Sequence, residues 1–204
     1  GERGQHSRLR TRLTSPRKNA DMKKYRINEI FYSLQGEGYY TGTPAVFVRF
    51  SGCNRACAFC DTDFRAFTEM TAAEIAEAAA AFPGRHLVAT GGEPLLQLDS
   101  DLLRELKLKG FYVQIETNGS MPVPPEVDWV TCSPKDAPWA VDRIDELKVV
   151  YQGQDVEETA ALLPAPRLFL QPCSGVNTAE TIDYILAHPR WRLSLQTHKL
   201  IDIR

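Results

Sequence analysis

Short apolar runs alternate with helix-period segments along most of the chain. Ala45–Phe50 (AVFVRF), His86–Thr90 (HLVAT), Phe111–Glu116 (FYVQIE), Asp128–Cys132 (DWVTC), Leu147–Tyr151 (LKVVY), Leu168–Gln171 (LFLQ) and Arg192–Gln196 (RLSLQ) read as strands. Several are apolar at consecutive positions, the pattern of strands covered on both faces. Between them, Thr71 to Phe82 reads as a helix: Thr71 and Glu74 form a capping box, and Ala81-Phe82-Pro83-Gly84 ends it. A second helix starts near Ser100 and stops at Gly110, with Leu102, Leu103 and Leu106 on its inner face. A third begins after Asn177 and ends by His188-Pro189.

Strand–helix–strand repetition implies parallel strands joined by right-handed crossovers. Six or seven strands with few helices predict an α/β fold, a partial, abbreviated barrel of mostly parallel strands. Asn118–Val127 is rich in Gly and Pro and too short for a helical crossover, and Ser133–Asp142 also reads as loop. The abbreviation is therefore expected on that side.

The polar, Gly-rich segments are not scattered. The Cys53 region follows the first run, Gly91-Gly92-Glu93-Pro94 the second, Thr117-Asn118-Gly119 the third, Ser133-Pro134-Lys135 the fourth, and Gln171-Pro172-Cys173-Ser174 ends another. Each leaves the carboxyl end of an expected parallel strand, the edge where open α/β sheets and barrels bind ligands.

Composition bounds the class. The 204 residues, 43% hydrophobic, suit one sizeable domain. No apolar run approaches the roughly 20 residues that span a bilayer, and no signal-peptide pattern is visible. Residues 1–21 differ: six basic residues (Arg3, Arg8, Arg10, Arg12, Arg17, Lys18) face two acidic ones, without apolar periodicity. They read as a disordered extension, an expression remnant or an over-extended start before Met22; a nucleic-acid-binding or targeting arm is the alternative. Residues 22–204 are then a single domain. The segment carries +4 of a chain total of −2, so the remainder is −6, which argues against general affinity for nucleic acid. Five cysteines, three of them clustered, do not suit a secreted disulfide framework and point to a reducing cytoplasm.

The clustered thiols carry the chemistry. Cys53-Asn54-Arg55-Ala56-Cys57-Ala58-Phe59-Cys60 spaces three cysteines by three and then two residues. Three thiolates can hold an iron–sulfur cube and leave one iron open to a small molecule, whereas electron-carrying clusters usually have four cysteines. A zinc site completed by a distant histidine is one alternative. A redox dithiol of Cys57 and Cys60 is another, without the preceding thioredoxin-like strand. Cys132 and Cys173 read as small buried residues.

This Cys-x3-Cys-x2-Cys pattern resembles the signature of the radical S-adenosylmethionine enzymes. Leu34-Gln35-Gly36-Glu37-Gly38, Arg49-Phe50-Ser51-Gly52-Cys53 and Cys60-Asp61-Thr62-Asp63 narrow the resemblance to the 7-carboxy-7-deazaguanine synthases, from about Tyr25 onward. The resemblance implies a [4Fe–4S] cluster on Cys53, Cys57 and Cys60, with S-adenosylmethionine at the open iron. It assigns cofactor contacts to Phe59, Cys60, Asp61, Gly92, Glu93, Thr117, Asn118, Ser133 and Lys135, and a Mg²⁺ ligand to Thr62. Substrate contacts fall to Leu34, Gln35, Gly36, Glu37, Arg49, Thr90, Gln171, Ser174 and His198. Gly91-Gly92 lacks side chains that would hold a ligand off. Arg49 offers a fork for a carboxylate. Alone, Lys135 reads as a solvated charge, Arg49 as an outward strand residue, His198 as a strand histidine, and Thr117 and Asn118 as turn caps.

The implied substrate is 6-carboxy-5,6,7,8-tetrahydropterin. Reductive cleavage of the cofactor gives a radical that takes hydrogen from C6, and ring contraction with loss of ammonia gives 7-carboxy-7-deazaguanine for queuosine synthesis. No side-chain acid or base is implied. The family also implies an external one-electron donor such as flavodoxin, a homodimer, and no direct contact with tRNA. A glycyl-radical activating enzyme and a non-enzymatic zinc module are the rival readings. In similar enzymes the chain's terminal carboxylate can approach the substrate; here Arg204 stands at that position.

Overall fold

The computed structural model describes residues 22–57 and 66–204. Among the described residues, nine strands form one sheet: β1 (Lys24–Leu34), β2 (Pro44–Phe50), β3 (Thr68–Thr71), β4 (His86–Gly91), β5 (Tyr112–Thr117), β6 (Trp129–Cys132), β7 (Glu146–Tyr151), β8 (Leu168–Pro172) and β9 (Trp191–Leu193). Their spatial order is β3-β1-β2-β4-β5-β6-β7-β8-β9. From β2 to β9 all neighbours are parallel. β1 runs antiparallel to β2 and to β3. With β3 and β9 at opposite edges, the sheet is an open, partial barrel, as expected, extended by an antiparallel flank.

That flank was not legible. β1 buries Tyr25 and Ile27, then shifts register between Ile27 and Glu29 and runs half-exposed, so neither alternation nor an apolar run marks it. β3 is a four-residue strand at the sheet edge.

The helices are α1 (Ala72–Ala80), α2 (Ser100–Leu108), α3 (Val156–Leu162), α4 (Thr178–Ala187) and α5 (Thr197–Leu200). The Thr71–Glu74 capping box is present: Thr71 Oγ1 accepts from Glu74 N, and the Glu74 carboxylate accepts from Thr71 N. α2 starts at Ser100, as expected, and is capped by Asp99, whose Oδ1 accepts from Leu102 N at 3.1 Å. It buries Leu102, Leu103 and Leu106. α3 spans only seven residues, capped by Asp155, and is too short for its periodicity to stand out. No helix separates β5 from β6 or β6 from β7, which is the expected abbreviation. β9 ends at Leu193, short of its expected end at Gln196, because Ser194 and Gln196 turn inward to hydrogen-bond Gln171 and Glu37.

Alternation along the parallel strands separates two chemistries. Leu87, Ala89, Val113, Ile115, Val130, Leu147, Val149 and Leu170 belong to the apolar layers that pack the sheet against its helices. On the other face stand His86, Gln114, Glu116, Thr131, Glu146, Lys148 and Gln171. Gln114 ties this interior together, its Oε1 accepting from His86 Nε2 (2.8 Å) and its Nε2 donating to Thr131 Oγ1 (3.1 Å). A stacked Tyr39–Trp129 pair, with Arg167 over both rings, covers the amino end of β6. The inner face of the sheet is thus polar, and its Glu116, Lys148 and Gln171 reach the cavity at the carboxyl edge.

Candidate active site

The loops at the carboxyl edge enclose a cavity of about 450 Å³. Cys53 and Cys57 line it from the loop after β2. Cys60, Phe59, Asp61 and Thr62 lie outside the described residues, so the third thiolate, three cofactor contacts (Phe59, Cys60 and Asp61) and the magnesium assignment do too.

Gly91 and Gly92, at the end of β4, line the wall beside the cysteines. The close approach that requires glycine here is to protein rather than to a ligand alone. A Cβ on Gly92 would lie 1.7 Å from the Gly52 carbonyl oxygen and 3.2 Å from Cys53 N. Glu93 N donates to that same Gly52 oxygen at 3.0 Å. The strand end and the cysteine loop are therefore locked backbone to backbone.

Glu93 was expected to touch the cofactor, but it does not line the cavity. It is 1% exposed, and its carboxylate accepts from Thr117 Oγ1 (2.9 Å), Asn118 N (2.7 Å) and Leu95 N (3.1 Å). Burial raises its carboxyl, against those three donors. It braces the loops beneath the wall. Thr117 and Asn118 do line the cavity, and both also act as braces. Asn118 Nδ2 donates to Asn54 Oδ1 at 2.9 Å, tying the cysteine loop to the end of β5.

Ser133 and Lys135 line the cavity after β6, with Lys135 Nζ donating to Ser133 Oγ at 3.1 Å. Lys135 is partly buried rather than solvated, and burial lowers its pKa. Cys132 is fully buried, its thiol pushed up to about 12 by burial and then by Glu93. Cys173 departs from expectation: it is only partly buried and lines the cavity. Gln171 and Ser174 line the same wall; Gln171 Oε1 accepts from Ser194 Oγ, and Ser174 has φ of 49°.

The substrate-side assignments also converge. Leu34, Gln35, Gly36, Glu37, Arg49, Thr90 and His198 all line the cavity. Arg49 is paired with Glu29 through Nε at 2.9 Å. His198 stands on α5 rather than on a strand, and the start of that helix is clamped by Thr197 N and Oγ1 donating to Gly36 O. Among the cavity residues that sequence reasoning missed are Glu116, Lys148 and Gln196. A signal existed for two of them. Glu116 and Lys148 are charges inside otherwise apolar strands, where an unpaired ion is costly.

Lys148 is 3% exposed and paired with both Glu37 and Glu116, the latter at 2.7 Å. Burial works against its charge, but the two carboxylates outweigh this and raise its pKa. Burial likewise disfavours the Glu37 carboxylate; Lys148, helped by Gln196, prevails and holds it below the usual range. Glu146, two residues before Lys148 on the same face, is pushed up to about 7 by burial, with Glu116 adding to the effect. Its Oε2 accepts from Tyr39 N at 3.1 Å, while Oε1 is buried with no hydrogen bond among the described residues.

A raised folded-state pKa means that the proton stabilises the fold. The contribution is complete below the unfolded value and is lost as pH rises through about 7. From pH 4.5 to pH 8, wild type should lose roughly 3 kcal/mol relative to Glu146→Gln. Urea denaturation of both proteins across that range measures it; parallel curves would refute it.

Cofactor chemistry fits this donor set. Two thiols, a hydroxyl and an ammonium open onto one cavity beside a glycine wall that packs on the cysteine loop. A Radical SAM superfamily model matches residues 47–148. The chain is 59% identical over 180 residues to the 7-carboxy-7-deazaguanine synthase of Bacteroides thetaiotaomicron, covering 88% of this chain and 98% of that one. The chain belongs to the 7-carboxy-7-deazaguanine synthase family of radical SAM enzymes. It is also 46% identical to the Bordetella pertussis 7-carboxy-7-deazaguanine synthase, over 88% of this chain and 99% of that one. The crystal structure of QueE from Escherichia coli superposes with a TM-score of 0.73 at 32% identity, covering 84% of this chain and 93% of that chain. Membership carries with it a [4Fe–4S] cluster, S-adenosylmethionine and lyase chemistry. Among the described residues, no helix is long and apolar enough to cross a membrane.

Proposed function

We propose that this synthase contracts the ring of 6-carboxy-5,6,7,8-tetrahydropterin to 7-carboxy-7-deazaguanine, releasing ammonia, within queuosine synthesis. The observation that carries this reading is one cavity shared by cysteine thiols and a carboxylate-binding cation, Cys53 and Cys57 with Arg49. Cys53, Cys57 and Cys60 hold the cluster, and Ser133, Lys135, Gly92, Thr117 and Asn118 line the cofactor's part of the cavity. When bound, cluster and S-adenosylmethionine together supply the radical chemistry.

The remaining residues bind and orient. Arg49, held by Glu29, presents its guanidinium to the substrate carboxylate. Gln35, Thr90, Gln171, Ser174 and His198 surround the ring, and Leu34 gives an apolar contact. Thr62 helps to hold Mg²⁺, whose octahedron needs water or substrate oxygens besides one hydroxyl. Residues 22–204 act as one domain, supported by the single continuous sheet. The reading includes a homodimer, a flavodoxin-like electron donor and a cytoplasmic location.

Anaerobic turnover with a chemical reductant tests the reaction. Ring-contracted product and ammonia in equal amounts are expected. Cofactor cleavage without ring contraction would overturn the substrate and favour the glycyl-radical activating alternative. One zinc per chain, with neither iron nor sulfide, would overturn the radical reading altogether.

A further inference from the structure

Between its cysteines, the loop after β2 is tied down at almost every polar position. Gly52 O accepts from Glu93 N at 3.0 Å. Asn54 Oδ1 accepts from Asn118 Nδ2, and Asn54 Nδ2 donates to Ser120 Oγ, both at 2.9 Å. Arg55 is different. Its guanidinium has one hydrogen bond, from Nη2 to Pro138 O, at a long 3.4 Å. Its Nε is buried with no hydrogen bond among the described residues, and no carboxylate among them pairs with it. A buried donor without an acceptor is costly, and so is a partly buried cation without an anion.

Placement supplies a reason for that cost. Arg55 stands between Cys53 and Cys57 in the chain and lines the cavity with both. It also lines an outer groove beside Trp139 and Gln152, so it stands in the partition between site and surface. A cubane cluster held by three thiolates is anionic, and reduction adds one more negative charge. Its sulfurs accept hydrogen bonds, and both those bonds and nearby charge set its potential. A guanidinium keeps its charge throughout the working pH range and has five N–H donors, most of them uncommitted here. Such a group favours the reduced cluster over the oxidised one.

We propose that Arg55 raises the reduction potential of the cluster, as a fixed cation with free donors placed between two of its cysteine ligands. The inference rests on the assignment of the cluster to this loop. The loop's ties to Asn118, Ser120 and Gly92 hold the backbone that carries the charge, so little reorganisation accompanies electron uptake. Arg55 touches neither the chemistry nor the substrate in this account; it sets how readily the electron is accepted.

The test is a redox titration of the anaerobically reconstituted holoenzyme, with and without S-adenosylmethionine, followed by electron paramagnetic resonance of the reduced cluster. In Arg55→Met, which nearly keeps the volume, the equilibrium constant for reduction should fall about tenfold, a downward shift of about 59 mV for one electron. Arg55→Lys keeps the charge and should stay within about threefold of wild type. Should Arg55→Met fail to fold, Arg55→Gln, neutral but still a donor to Pro138, should show the same downward shift. A merely structural role would lower stability and iron occupancy while the remaining clusters titrate at the wild-type potential, and that result overturns the proposal. An upward shift in the neutral variants overturns it too, since it would mean that Arg55 only keeps water from the cluster. So does a Lys variant that titrates with Met, or loss of the cluster from both neutral variants. Absence of a four-iron signal from wild type would instead overturn the cluster assignment itself, and the role of Arg55 with it.

Discussion

Cys57→Ala, reconstituted anaerobically with iron and sulfide, should retain little of the roughly four irons and four sulfides per chain of a cubane cluster. Product formation and cofactor cleavage should both fall below detection. The expectation rests on placement: Cys57 lines the cavity beside Cys53, Ser133 and Lys135. Two other cysteines supply the contrast. Cys132 is fully buried with its thiol pushed up to about 12, so it is a poor ligand, and Cys132→Ala should keep its iron. Cys173 also lines the cavity, so Cys173→Ala is the sharper comparison: geometry alone does not separate it from Cys57, and its retention of iron would show that the cysteine loop holds the cluster. Iron and sulfide analysis with the visible spectrum of each protein decides the matter. A full cluster in Cys57→Ala would defeat the assignment.

The second large effect is expected at Gly92. An added methyl would overlap the Gly52 carbonyl, which is backbone and cannot rotate aside as a side chain can. Gly92→Ala must therefore push the cysteine loop away and break the Glu93 N to Gly52 O hydrogen bond. Overpacking with a lost buried hydrogen bond amounts to about 3 kcal/mol of destabilisation. Because the displaced backbone carries Cys53, iron retention and turnover should fall together with stability. Urea denaturation of the apo protein, with iron analysis after reconstitution, measures both. Unchanged stability with full activity would mean that the loop yields freely and that the two backbones are not locked.

Much of this arrangement was legible along the chain, and the reasons are local. Runs such as AVFVRF and LKVVY are apolar because their outer faces meet helices, so they announced buried parallel strands. Capping at Thr71 depends on residues three apart and appeared as expected. The edge rule placed the polar loops together, and all but one of the described candidate residues line one cavity. Glu93 is the exception, and it could not have been separated by sequence: its neighbours Gly92 and Thr117 face the cavity, and only the packing of three loops shows that its carboxylate is spent beneath them.

Sequence by itself determined the strand alternation, the cysteine spacing and the choice of sheet edge, because each depends on residues near one another in the chain. The Glu37–Lys148–Glu116 array was decided by tertiary structure alone. Its members stand 111 and 32 residues from Lys148, and no local pattern pairs them. An ammonium survives in that interior because the loop after β1 and strand β5 bring the Glu37 and Glu116 carboxylates to Lys148 on β7, and all three side chains line the cavity.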